Sequence, residues 1–171
     1  MKVLVTAASR HGSTAEIAEA IGDVLKSRGF EATVASPEDV AALSEFEAVV
    51  LGSAVYMGHW LAPATGLAHR IGAELAGKPV WLFTSGPVGS RSSKFAQQMD
   101  VDPVELQAVQ EATGAREHKR FSGKLDRHNL QGLQRVGLSL FRGLQGDFRD
   151  WKAVRDWAAS IADQLAQATA A

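Results

Sequence analysis

Cysteine is absent from the 171 residues. That excludes disulfides, thiolate metal sites and a cysteine nucleophile. Net charge is almost absent too: 18 Lys/Arg stand against 19 Asp/Glu, for a formal charge of −1. Neither bulk nucleic-acid affinity nor an acidic character is implied. No apolar run approaches the length that spans a bilayer, and the first residues enter a strand pattern with no signal-peptide signature. The expected location is therefore the cytoplasm. No paired carboxylates, metal-ligand spacing or Ser-His-Asp order stands out, so no catalytic residue and no metal ligand is assigned. Tyrosine occurs once, at position 56.

What is present is ordinary globular material, 46% apolar and 22% charged, long enough for one compact domain with a real core. The charge is unevenly spread. Residues 1–113 carry 8 Lys/Arg against 13 Asp/Glu, a net of −5, whereas residues 114–149 carry 8 against 3, a net of +5. One basic stretch thus lies near the C-terminal end of a mildly acidic chain.

Strand and helix patterns alternate. Strands are expected at Lys2–Ala7, Phe30–Ala35, Ala48–Ser53, Pro79–Ser85 and, more polar and at an edge, Arg116–Ser122. Helices are expected at 13–28, 62–75, 103–112 and 150–168, with a short one at best at 37–43. Glu16 and Glu19 open the first helix and Lys26 and Arg28 close it, which suits its macrodipole. Such alternation implies a parallel sheet with helices on both faces. No repeat or linker interrupts it, so residues 1–171 form a single domain. Two stretches exceed the minimal pattern: the polar loop 87–101 and the basic segment 124–146. In the latter, Leu130, Leu133, Val136, Leu140, Phe141 and Leu144 recur at helical spacing among Arg127, Arg135 and Arg142. It is expected to be an amphipathic helix packed on the domain, or else a cap or membrane-surface contact.

Ligands of open α/β sheets bind beyond the carboxyl ends of the strands. Three loops meet that description. The first is Ser9, Arg10, His11, Gly12, Ser13 and Thr14: hydroxyls, a flexible glycine and the free N–H groups of a helix start, which together suit a phosphate. It lacks the lysine and glycine spacing of a P-loop and the further glycines of a dinucleotide fingerprint. The second holds Ser53, Ala54, Val55, Tyr56, Met57 and Gly58, followed by His59 and Trp60. The third is Thr84, Ser85, Gly86, Pro87, Val88 and Gly89, whose backbone can approach a flat ligand. A phosphate attached to a large planar ring, as in flavin mononucleotide (FMN), would use all three. Trp81, Trp151 and Trp157 are expected in the core.

The loop Ser9–Thr14 resembles the phosphate loop of the flavodoxin-like family, T/S-x-T/S-G-x-T, with His11 replacing a hydroxyl residue. Tyr56-Met57-Gly58-His59 and Asp147-Phe148-Arg149-Asp150-Trp151-Lys152-Ala153-Val154 resemble stretches of the menaquinone-dependent protoporphyrinogen oxidase group within it. The resemblance implies a three-layer α/β/α sandwich with a five-stranded parallel sheet of order 2-1-3-4-5. It also implies FMN, with the phosphate in Ser9–Thr14, Arg10 or His11 offsetting its charge, and Tyr56, or failing that Trp60, covering one ring face. Ser53–Gly58 and Thr84–Gly89 would line the ring edge. The activity implied is an oxidoreductase passing electrons from protoporphyrinogen, or a similar hydrophobic substrate, to a quinone, with peripheral contact at the inner face of the membrane through 124–146. Two alternatives stand beside it: a small FMN electron carrier, and a domain using another flat cofactor such as a deazaflavin, or none. Carriers of this type are usually strongly acidic, which the near-neutral charge here does not match.

Overall fold

The computed structural model describes residues 1–74, 77–86, 102–125 and 146–170. Its strands are β1 (Lys2–Ala8), β2 (Glu31–Ala35), β3 (Ala48–Tyr56), β4 (His59–Trp60), β5 (Val80–Ser85), β6 (Glu117–Phe121), β7 (Lys124–Leu125) and β8 (Gly146–Asp147). Its helices are α1 (Ser13–Ser27), α2 (Ala62–Glu74), α3 (Leu106–Thr113) and α4 (Trp151–Ala170). The five long strands pair in parallel in the order β2-β1-β3-β5-β6. This is the expected 2-1-3-4-5 arrangement, with two short antiparallel additions.

Strand alternation divides the core in two, because successive side chains point to opposite faces. Val3, Val5, Ala48, Val50, Trp81 and Phe83 join α1 and α4 through Ile17, Ile21, Leu25, Trp157, Ile161 and Leu165. Leu4, Val49, Leu51, Val80 and Leu82 join α2 and α3 through Leu67, Ile71, Leu106 and Val109 on the other side. Phe83, Phe121 and Trp157 form an aromatic triangle with centroids 5.6–6.2 Å apart, so Trp81 and Trp157 are core residues as expected.

The differences from the expected elements have local causes. β3 does not stop at Ser53 but runs to Tyr56, because Ala54 still pairs with Ser85 and the last two residues pair back with β4. The stretch 37–43 yields only the 3₁₀ turn Pro37–Asp39, in which Ser36 Oγ donates to Asp39 at 2.7 Å. α3 begins at Leu106 rather than 103, because a turn from Pro103 O to Leu106 N comes first. At α4, Asp150 caps the helix by accepting from Ala153 N–H at 2.9 Å, the favoured role of aspartate at that position. The expected helix over 124–146 lies outside the described residues between 126 and 145. Its two ends do not, and they pair antiparallel as β7 and β8.

Candidate functional site

β1 delivers the first loop at the C-terminal edge of the sheet. Gly12 precedes α1 at φ 83°, a left-handed conformation that glycine adopts without strain. It has no side chain with which to cap the helix, and the first intrahelical bond runs from Glu16 N–H to Gly12 O at 2.9 Å. The amide groups ahead of it are therefore the orphan donors of a helix start. Thr14 is buried, while Arg10 and His11 are exposed. Ser13 Oγ is buried and has no hydrogen-bond partner. Thr6 Oγ1 and the indole nitrogens of Trp81 and Trp157 share that condition among the described residues, but only Ser13 lies in a loop suited to an anion. A buried hydroxyl without a partner costs free energy that a ligand oxygen would recover.

The second loop is a hairpin. Val55 pairs with Trp60 and Tyr56 with His59, leaving Met57 and Gly58 as a two-residue turn with φ of 53° and 82°. Two successive positive φ values mark the type I′ turn favoured by strand twist. Met57 is a rare non-glycine residue in this region and is 89% exposed. The turn holds Tyr56 half-buried against the first loop. The Arg10 guanidinium lies 4.7 Å from the Tyr56 ring centroid, and His11 meets the same ring edge-on at 6.2 Å. Burial raises the Tyr56 phenol above its ordinary pKa, with Arg10 pulling the other way, so the ring is a neutral platform.

The hairpin is clamped from the turn that leads into α3. Glu105 accepts from Trp60 N–H at 3.0 Å and meets His59 Nδ1 at 2.6 Å, and Val104 N–H donates to Gly58 O at 3.0 Å. Burial pushes the Glu105 carboxyl up, but these hydrogen bonds outweigh it and leave it below the usual carboxylate range. Trp60 is 4% exposed, and its indole N–H donates to Thr84 Oγ1 at 3.1 Å. It is a packing residue and not a second cover for a ring. Thr84 Oγ1 also meets His118 Nε2 at 2.7 Å. Because the indole can only donate, the threonine proton is free to go to a neutral His118 carrying its own proton on Nδ1. Burial holds His118 below its ordinary pKa, against the pull of Asp102. The Ser53 hydroxyl likewise serves the fold, donating to Ala54 O and accepting from Leu61 N–H.

Behind the first loop lies Arg149, with its side chain only 3% exposed. Nε and Nη2 grip Asp147 at 2.8 and 2.6 Å, while Nη1 reaches Glu16 at 2.6 Å and the Ser13 carbonyl at 3.2 Å. The guanidinium stacks 4.4 Å from the Trp151 ring centroid. Hydrogen bonding from Arg149 holds Asp147 below the usual carboxylate range, against its partial burial. The β7–β8 ladder that Asp147 ends sits by the third loop: a Cβ on Gly123 would lie 3.5 Å from Gly86.

The structure thus brings Ser9–Thr14, Tyr56–Gly58 and Ser85–Gly86 to one edge, and it turns Ser53, Thr84 and Trp60 inward. Pro87, Val88 and Gly89 lie outside the described residues. Sequence reasoning missed Glu105, His118 and Arg149 as site-building residues. The first two act through distant contacts that leave no local pattern; Arg149 stood inside a stretch singled out for its resemblance. Among the described residues no group of His, Asp and Glu is arranged to hold a metal, and no helix is long and apolar enough to cross a membrane.

The flavodoxin domain family matches residues 4–151. No curated protein matches significantly. Among solved structures, a flavodoxin from the domain Archaea is 24% identical with a TM-score of 0.58, over 82% of this chain and 96% of the other. A point mutant of flavodoxin from Pseudomonas aeruginosa is 19% identical with a TM-score of 0.58, over 95% and 97%. Rubredoxin oxygen:oxidoreductase from Desulfovibrio gigas is 17% identical with a TM-score of 0.66, over 99% of this chain but 37% of the other. At these identities the structural likeness establishes the fold alone.

Proposed function

The chain belongs to the flavodoxin domain family, and on that premise we propose that it binds FMN at the C-terminal edge of its sheet and serves as an electron-transfer domain. One observation carries the reading: Arg10 and His11 of the anion loop converge on the only tyrosine, beside a buried Ser13 hydroxyl that has no partner. The residues fit the group. Ser13, Thr14 and the first amides of α1 would hold the phosphate, Arg10 would offset its charge, and Tyr56 would cover the ring. Bound FMN would supply reversible electron uptake, and the protein would tune it through placement and nearby charge. The test is the absorbance spectrum of purified protein with and without added FMN. A bound-flavin spectrum and a measurable FMN affinity are expected. A colourless protein that ignores FMN would leave a flavodoxin fold serving another flat cofactor, such as a deazaflavin, or none.

A second reading is an oxidoreductase that takes electrons from a hydrophobic substrate such as protoporphyrinogen and passes them to a quinone. The charge pattern of the sequence favours it, because residues 114–149 carry a net of +5, which suits porphyrin carboxylates or an anionic membrane surface at the inner face. Excising residues 126–145 discriminates. An enzyme of this kind loses quinone-coupled turnover, whereas a carrier goes on exchanging electrons with a reductase.

A further inference from the structure

Arginine is seldom buried unless it is paired, and Arg149 is buried with its donors divided between two parts of the chain. One fork belongs to Asp147, two residues before it in sequence. The remaining nitrogen reaches Glu16 and the Ser13 carbonyl on α1. We propose that Arg149 is a positioning residue for the anion loop: it fixes the Ser13–Thr14 peptide and restrains Glu16, the carboxylate in the first turn of α1. This inference rests on the FMN reading above.

Two physical arguments support it. A trans peptide is planar, with its C=O and N–H pointing in opposite directions. A guanidinium that holds the Ser13 carbonyl on the far side therefore aims the Thr14 N–H back toward the Ser9–Gly12 loop. Glu16 stands in the first turn of α1, where a free carboxylate would repel an incoming phosphate dianion; paired at 2.6 Å with Arg149, which it shares with Asp147, it is held down and its repulsion is reduced. Trp151 stacks on the guanidinium and keeps it from swinging away.

The experiment compares FMN with riboflavin, which differ only in the phosphate, by fluorescence titration of the full chain and its R149M and R149K variants. Melting temperatures are recorded alongside. R149M is expected to weaken FMN about tenfold or more, the worth of one charge-assisted tie, while riboflavin shifts by less than about twofold. R149K keeps the charge but cannot span both partners, so it should fall between the wild type and R149M. If R149M does not fold, R149K must still show the unequal loss. Equal losses for both ligands would mean general loosening and overturn the proposal, as would R149M binding FMN like the wild type. Wild-type protein that binds neither ligand overturns the proposal together with the FMN reading; wild-type binding with no Arg149 effect overturns the proposal alone.

Discussion

Tyr56 receives Arg10 on its face and meets His11 edge-on, so a flat ring stacking on that face would displace the guanidinium and would free it to meet a phosphate. Replacing Tyr56 with leucine removes the stacking, worth about 0.5–1.5 kcal/mol, so FMN and riboflavin should weaken by the same factor, up to about tenfold. Tyr56→Phe should retain both affinities. Titration with the two ligands checks this, and equal losses would separate Tyr56 from the unequal losses expected of Arg149. His118 gives a second prediction. Its folded pKa lies below its ordinary value because burial outweighs the pull of Asp102. The unfolded chain then binds the extra proton first, so the contribution is complete above about pH 6.5 and is lost as pH falls below that toward the folded value. Asp102, which pulls the other way, is itself paired with Arg120 at 3.3 Å. Asparagine at 118 still offers Thr84 an acceptor and does not titrate. Its melting temperature should therefore fall less between about pH 7 and pH 5 than that of the wild type. Glu105 and Asp147 are also shifted downward, but from the ordinary carboxylate range, so their losses begin at lower pH. At this scale Tyr56 was legible, being unique and flanked by loop residues. His118 was not, because a histidine in a polar strand pattern reads as a solvent-facing residue until Thr84 and Trp60 are seen across the sheet.

Among the elements, the two helices on the α2–α3 side approach through glycine. A Cβ on Gly72 would meet the Ala112 carbonyl oxygen at 2.1 Å, whereas one on Gly66 would meet nothing within 4 Å. Both lie in the same helix, so the pair separates helix propensity from packing. Gly66→Ala should stabilise the protein by up to about 1 kcal/mol. Gly72→Ala must push α3 away and should destabilise by about 1–3 kcal/mol. Urea denaturation of the two variants measures both, and equal shifts would contradict the close approach. The long elements were largely readable from period and punctuation, because β1, β3 and β5 are buried on both faces and glycines, Gly29 and Gly114, follow the ends of α1 and α3. The β3–β4 hairpin was not. Gly52-Ser53 looked like a stop, and what carries the strand onward is pairing with Ser85 on one side and with Trp60 on the other. The clamp that secures the hairpin comes from Glu105, 45 positions away from Trp60, and such a contact has no local signature.

For the molecule as a whole, the cofactor and the fold should stabilise one another. A ligand that binds only the folded state adds about 2.7 kcal/mol at a free concentration about 100 times its Kd, which for a chain of this size raises the melting temperature by roughly 5–10 °C. A thermal melt with graded FMN checks this. A melting temperature independent of FMN would mean that the ligand does not bind the native protein. The three-layer plan followed from alternation, and the candidate site was sought by the rule that ligands gather at the carboxyl edge of parallel strands. What alternation could not supply was the way the last third of the chain is tied to the first: β7, β8 and Arg149 secure it to the loops at that same edge.

The two-residue β7–β8 ladder also has an implication for ancestry and engineering. Leu125 and Gly146 face each other, so the two ends of the intervening stretch lie side by side, and an Asn-Gly turn could join them. The domain can be closed there without residues 126–145 and reopened with a different insert, since loop length has only a weak effect on closure. The ladder is a grafting joint, at which one insert could be exchanged for another while the candidate site stays intact.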